Sequence, residues 1–539
     1  MFQQTKKTRY RIALGLFAII FVLVENILPA FQVHYAMQTL ILSIGILMLI
    51  PLPPYKPRFT ISPILVGVLL LAFAVRWISL GEAIPRHVDE IHAVASIVDL
   101  WDAPTSAVLL PYHGVPAFPR VYTVLQDASV HVLGKNLAGL RYVSVLFGVL
   151  TVAATYALGT RLFNPRVALL SAAILAVFPP HVHFSRLGLN NIADPFFGVM
   201  ALTALYHAHP NTRRANVMGG VLLGVTAYFY EGGRLLFPAL ILCWLLLRRR
   251  WSWYIWGGYA VTAMPVYIML WVYQRPFTPR LNVTADSTLH PVENLVNILR
   301  FLFVEPESSW FYAGDTPFIL HWLLPFLLIG CWLAWQRGAW ILFLWVGLTI
   351  GGNMLLVDVQ SPRYVVMIPA LVLLMGLGVD AVIRKVTYHH KRAALLQAMM
   401  VLLILGGQVW YYFHAHIPRY LAQFPEPLIL DDMRFRAADL PDNTHIHIIS
   451  PLSFFDSDFY YYLRFVGRHD DGVFVESYHP EAMRIDYLAG ARVFRHVAVF
   501  IPPDDPITLN KILRAFPDVT PQFSRVAGGY LLFLLPREG

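Results

Sequence analysis

From residue 12 to about 413, long apolar stretches alternate with short polar, mostly basic breaks. A helix that crosses a bilayer needs about 20 predominantly apolar residues. At that length the pattern predicts about thirteen spans. They lie near 12–29, 35–52, 62–80, 137–160, 166–184, 191–208, 215–230, 234–247, 253–273, 318–336, 339–357, 364–383 and 394–413. The 215–230 and 234–247 stretches are short and read as tilted or partly re-entrant. Two polar interruptions are long, 81–136 and 274–317. The first contains amphipathic pieces, Glu90 to Leu100 and Val121 to Leu133, of the kind that lie in an interface plane. Beyond about His414 the pattern changes. Residues 444–449 alternate like a strand, 457–465 read as a helix, and 495–501 form another strand stopped by Pro502-Pro503. A helix follows over 507–516 and a last strand over 530–535. Alternating strands and helices predict a small α/β domain. The expected organisation is an N-terminal membrane hairpin (1–60), a helical membrane domain (61–413) and an α/β domain (414–539). No repeat of fixed period and no low-complexity linker interrupts it.

Composition supports the membrane reading. The chain has 539 residues, 57% hydrophobic and 14% charged, with a mean hydropathy of +0.57. Average soluble proteins are about 25% charged. The net charge of +9 fits basic cytoplasmic loops better than a nucleic-acid surface, and no basic helix carries interleaved aromatics. Lys6, Lys7, Arg9 and Arg11 precede the first span, which places the N-terminus in the cytoplasm. Every second loop is then basic as well: Lys56 and Arg58; Arg161 and Arg166; Arg213 and Arg214; Arg248, Arg249 and Arg250; Arg337; Arg384, Lys385, Lys391 and Arg392. An odd number of spans puts 81–136, 274–317 and the tail outside the cell membrane. The first apolar stretch lacks a small-residue cleavage site and reads as a retained span. Cys243 and Cys331 both sit in apolar runs and build no disulfide framework.

Orientation places one acidic pair, Asp89-Glu90, at the outer membrane boundary, beside His87. Ionisable residues at that depth are costly to hold and usually functional. Asp89 would suit the N-cap of a helix starting at Glu90. A carboxylate near a low-dielectric boundary would equally serve as a general base toward a hydroxyl. Arg141, Arg186, Arg234 and Arg363 also fall at outer span ends, against the positive-inside trend. Guanidinium groups there suit a lipid-linked phosphate, or snorkel and neutralise helix ends.

The order of these elements carries a resemblance. An acidic pair follows an early span; Leu140-Arg141-Tyr142-Val143-Ser144 opens the next; then come His183-Phe184-Ser185-Arg186 and Pro362-Arg363-Tyr364 leading to Ile368-Pro369. Over roughly 60–415 this resembles the GT-C integral-membrane glycosyltransferases, in particular the protein O-mannosyltransferase and aminoarabinose-transferase superfamily. The resemblance implies a polytopic helical GT-C fold and inverting transfer of a sugar from a polyprenyl-phosphate donor to an acceptor hydroxyl of protein, lipid or envelope glycan. It implies Asp89 as the base, with Glu90 positioning it. Arg363 first, then Arg186, Arg234 and Arg141, would bind the leaving phosphate, with Tyr364, His183 and His87 as further substrate contacts. The implied partners are membrane lipid, the lipid-linked sugar and the acceptor, with no nucleic acid. No nucleotide is required, no dedicated cofactor is implied, and metal dependence is left open. Gly114-Val115-Pro116-Ala117-Phe118-Pro119 lacks the lysine of the aminoarabinose transferases' Lys-Pro-Pro run, which points away from that sugar. Residues 274–317 are too short for the β-trefoil of eukaryotic protein mannosyltransferases, which points to a bacterial-type enzyme.

A transporter or lipid-linked sugar flippase is the competing class. Transporters gather ionisable groups near the midplane of repeated halves, whereas here the polar residues gather at one surface. A non-catalytic envelope assembly factor is a third reading. Asp456-Ser457-Asp458 resembles a metal-binding Asp-x-Asp, and Asn282-Val283-Thr284 a glycosylation sequon, but such short patterns recur by chance. Glu305, Glu307 and Asp315 remain open as substrate contacts.

Overall fold

A computed structural model describes residues 2–51, 62–85, 89–111, 118–206, 212–277, 290–307, 309–356, 359–387, 393–424, 426–441, 443–449, 455–466, 474–493 and 495–537. His87, residues 114–117 and the sequon lie outside these residues.

Every stretch read as a span contains a helix. Local chemistry sets several of their ends. Ser62 accepts a hydrogen bond from the Ile64 N–H at 3.2 Å and starts Pro63–Trp77, with proline at the first turn. Asn136 caps Leu137–Leu162 through the Gly139 N–H at 2.9 Å. Asn164 caps Pro165–Val177 through Arg166 and Val167. Each side chain satisfies an N–H that the helix itself leaves without a partner. Among the described residues, five segments are long and apolar enough to cross a membrane: Thr8–Ile27, Leu137–Leu162, Trp253–Val272, Ser361–Thr387 and Ala393–Gln423. Tyr35–Leu49, Pro63–Trp77, Pro165–Val177, His321–Gln336 and Trp340–Asn353 are shorter apolar helices. A multi-pass membrane protein follows, though length and composition alone do not fix the count at thirteen.

The helix Ile368–Thr387 is the centre of the bundle. Its residues from Ile368 to Asp380 are buried all round, as expected of a helix that is apolar on every face. It lies so close to Leu324–Gln336 that a Cβ on Gly330 would sit 1.8 Å from the Leu374 carbonyl oxygen. Small residues permit that approach where no hydrophobic force drives helices together. At the periphery, Leu395, Met399, Leu402 and Leu403 of Ala393–Tyr411 are exposed, a lipid-facing composition.

The two helices of the first long loop, Glu90–Asp102 and Val121–Leu133, form as predicted. Their surroundings differ from an interface plane. Ala93, Val94, Ile97 and Val98 are buried together with Val130, Leu137, Leu140 and Phe465. The covering comes partly from the tail helix Phe455–Phe465, whose Phe465 stacks on Trp101 at 6.2 Å.

The tail carries a five-stranded sheet: β1 (Thr444–Ile449), β2 (Phe474–Tyr478), β3 (His496–Ile501), β4 (Gln522–Phe523) and β5 (Leu531–Leu535). The order is β2-β1-β3-β5-β4. β1 pairs in parallel with β2 and β3, and β5 runs antiparallel to β3 and β4. Apolar layers cover both faces, one around Ile446, Ile448 and Phe500, the other around Ile449, Val497 and Val499. β2, β4 and the helices Glu426–Ala438 and Ile485–Arg492 were not anticipated from the pattern.

Candidate active site

Glu90 is fully buried and opens the helix Glu90–Asp102. Arg141 Nε donates to its Oε1 at 2.8 Å and Arg141 Nη2 to its Oε2 at 2.7 Å. The Gly188 N–H adds a bond to Oε1 at 2.6 Å. The other Arg141 N–H groups donate to the carbonyls of Leu80, Ile84 and Pro85 at 2.8–3.0 Å. A guanidinium has five N–H donors, and all are engaged within the protein. This bidentate, fully buried ion pair ties the chain before the acidic pair, the first loop helix and the Gly188 turn into one unit. Asp89 stands next to it, half-buried, at the N-cap position. Its side chain makes no cap hydrogen bond to the helix, so capping is not what that carboxylate does here.

Arg186 is also buried. Nη1 donates to the carbonyls of Val75, Arg76 and Ile78 at 2.7–3.2 Å, and Nη2 to that of Ser79 at 3.2 Å. These carbonyls lie at and just beyond the end of Pro63–Trp77. Arg76 performs the reciprocal service. It donates to the Leu175 and Ala176 carbonyls at 3.3 and 2.7 Å, at the end of Pro165–Val177, and contacts His181 Nδ1 at 2.8 Å. Arg186 also lies over the rings of Tyr412 and Phe413. Arg234 donates to the Ala227 carbonyl through Nε and Nη2 and to that of Phe277 through Nη1, at 3.0–3.2 Å.

Three of the arginines read from the sequence as phosphate ligands are bonded within the protein. Arg141 holds Glu90, Arg186 closes a helix end, and Arg234 bridges the Ala227 and Phe277 carbonyls. In each case backbone oxygens, which a bilayer cannot hydrate, accept N–H groups of the guanidinium. Glu90, read from the sequence as positioning Asp89, holds Arg141. His183 is fully buried among aromatic rings: Tyr312, His416 and Tyr420 each at 5.3 Å and Tyr412 at 6.2 Å. Tyr364 is buried against Phe301 at 5.3 Å.

Arg363 differs from the other three. It lies on the 3-10 segment Ser361–Met367 that leads into the central helix, and one N–H bonds the Gln360 amide oxygen at 3.3 Å. It borders a groove of about 420 Å³ between the helices Glu231–Leu247 and Trp340–Asn353. Tyr230, Glu231, Asn353 and Arg363 give this groove its polar end, and Leu235, Leu236, Leu348 and Leu355 give it an apolar body. Glu307, left open by the sequence, clamps the same segment: its Oε1 accepts the Ser361 N–H at 2.7 Å. Burial pushes its carboxyl up to about 7, against hydrogen bonds from Ser309, Ser361 and Tyr312. Asn191 Nδ2 donates to the Pro362 carbonyl at 3.2 Å, which links the turn after Gly188 to the Arg363 segment. Tyr420 is within electrostatic reach of Glu90, Arg141, Tyr412 and Glu307. Arg76 and Tyr412 escaped sequence reasoning. The only sign of Arg76 was a single charge inside the otherwise uncharged 62–80 stretch.

Residues 118–273 match the family described as dolichyl-phosphate-mannose-protein mannosyltransferase. An undecaprenyl phosphate-alpha-4-amino-4-deoxy-L-arabinose arabinosyl transferase of Pseudomonas aeruginosa is 31% identical over 218 residues, covering 38% of this chain and 36% of that protein. The chain thus spans about a third of the length of the curated relatives it matches. Among solved structures, ArnT from Cupriavidus metallidurans bound to undecaprenyl phosphate superposes with a TM-score of 0.53 at 15% identity, covering 87% of this chain and 97% of that one. That likeness extends the shared fold well beyond the matched sequence.

Proposed function

Taking the chain as a GT-C glycosyltransferase of the protein O-mannosyltransferase and aminoarabinose-transferase superfamily, we propose that it moves a sugar from a polyprenyl-phosphate donor to an acceptor hydroxyl, with inversion, at the outer face of the cell membrane. The N-terminus is cytoplasmic in this reading, and the tail (414–539) extracytoplasmic. The observation that carries it is the groove. A polar end with one arginine above a leucine-lined body matches a phosphate head with an isoprenoid tail. The relatives named for, or bound to, undecaprenyl phosphate support the same chemistry.

Asp89 accepts the proton of the acceptor hydroxyl as its oxygen attacks the anomeric carbon. The bond from that carbon to the phosphate oxygen breaks, and polyprenyl phosphate leaves with the electron pair. Arg363 stabilises the charge that develops there. The Glu90–Arg141 pair fixes the backbone on which Asp89 sits, a positioning role. His183 and Tyr364 shape the packed wall behind the site.

The test uses the detergent-purified protein and a labelled polyprenyl-phosphate sugar. Asp89→Asn should lower transfer by about 10²–10⁴-fold with an unchanged elution profile and thermal midpoint. Arg363→Gln should also weaken binding of free polyprenyl phosphate. Normal turnover by Asp89→Asn would remove the base role, and transport of intact donor without transfer would move the protein to the flippase class.

A further inference from the structure

The tail sheet holds polar side chains where a core is expected. On β1, His445 and His447 are two residues apart and so share a face. The same face continues with Ile449, and with Val497 and Val499 on β3, both buried in an apolar layer. β2 pairs in parallel with β1 and sets Glu476 beside His447. Two imidazoles and a carboxylate thus enter a layer otherwise made of apolar side chains. Burying such groups is costly unless they are matched.

Their geometry supplies the match. His445 Nε2 lies 3.5 Å from Glu476 Oε2, and His447 Nδ1 lies 3.9 Å from the same oxygen. One ligand atom from each residue falls within 4.8 Å of the others. A tetrahedral ion about 2.0–2.2 Å from its ligands holds them roughly 3.3–3.5 Å apart, so the closest pair already has the required spacing. The remaining distances, up to 4.8 Å, would shorten on binding. Tyr487 donates its hydroxyl to Glu476 Oε1 at 3.3 Å. That bond orients the carboxylate and leaves Oε2 for the ion, as outer hydrogen bonds do in metal sites. A cavity of about 360 Å³, lined by His447, Glu476, Met483, Arg484 and Tyr487, adjoins the three.

We propose that His445, His447 and Glu476 bind a divalent cation of the zinc class. Imidazole and carboxylate together suit that borderline ion. Three protein ligands leave a fourth position facing the cavity, open to water or an anionic group. The ion would also staple β2, an edge strand, to β1. This site is independent of the donor groove, and its test does not depend on transfer activity.

Full-length protein in detergent is stripped with EDTA and titrated with Co²⁺ and Zn²⁺ alone. The wild type should bind one equivalent more than His447→Asn or Glu476→Gln, with visible bands of four-coordinate Co²⁺ that Zn²⁺ bleaches. Tyr487→Phe should keep the equivalent but bind about tenfold more weakly. Far-UV circular dichroism checks that the variants fold. Should they not, X-ray absorption of the wild-type zinc form decides alone: two imidazoles and a carboxylate support the site, and any other ligand set overturns it. Equal metal content in wild type and folded variants overturns it as well.

Discussion

Side chain by side chain, the site is dominated by competition for guanidinium groups. Sequence position alone made Arg141, Arg186, Arg234 and Arg363 equivalent, since all break the same charge trend at span ends. What separates them is which carbonyls lie within reach, and several of these belong to elements distant in sequence. Arg186 meets carbonyls near Val75 and Ile78, more than a hundred residues away. Only the folded chain reveals that. Asp89 and Glu90 divide in the same way: adjacent in sequence, they turn to different surroundings, and Glu90 takes both Arg141 and the Gly188 N–H. The Glu90–Arg141 pair, with both side chains at zero exposure, should show the asymmetry of buried ion pairs. Glu90→Gln or Arg141→Met alone leaves one charge stranded and should cost about 3–5 kcal/mol. The double variant, Glu90→Gln with Arg141→Met, strands no charge and should recover part of that loss. Thermal midpoints in detergent over the full cycle measure the coupling. Additive losses would show that the pair does not act as a unit.

Among elements, the membrane helices were legible because length and apolarity define them directly. The parts that shape the site were not. Residues 364–367 read as the start of a span, yet they belong to the 3-10 segment Ser361–Met367, on which Arg363 borders the groove. β2 escaped notice because Phe474-Val475-Glu476-Ser477-Tyr478 is short and half polar, so its strand character comes from pairing with β1. The amphipathic loop helices were found, but a tail helix more than three hundred residues later covers them, which no local pattern encodes. Glu307 joins two such elements, and its burial makes the joint sensitive to pH. Its carboxyl titrates at about 7 in the fold against 4.5 ordinarily. The folded state therefore keeps a proton that the unfolded chain has released. The stability it adds is complete below pH 4.5, declines as pH rises and is lost through pH 7. The loss is on the order of 3 kcal/mol. Glu307→Gln carries a permanently neutral group and should not decline. The difference between the two midpoints should thus change from about pH 4.5 to pH 7 and level off above it, and a constant difference across that window would refute the shifted carboxyl.

At the scale of the whole molecule, the proposed donor groove has small residues along its seam. Gly351 and Gly352 border it, and a Cβ at either position would meet nothing within 4 Å. Both lie in the helix Trp340–Asn353, where glycine costs about 0.5–1 kcal/mol relative to alanine. A leucine at 352 should therefore stabilise the helix while its side chain fills the space assigned to the isoprenoid tail. The two effects have opposite signs, which separates occupancy of the groove from damage to the fold. Gly352→Leu should hold or raise the thermal midpoint. It should also raise KM for a long-chain polyprenyl-phosphate sugar at least tenfold, which is about 1.4 kcal/mol of lost binding. A donor with a short prenyl chain reaches only the polar end, so its KM should stay near the wild-type value. Losses of equal size with both donors would mean that the tail lies elsewhere. An unchanged KM with the long donor would mean that the groove between Glu231–Leu247 and Trp340–Asn353 is not the donor site.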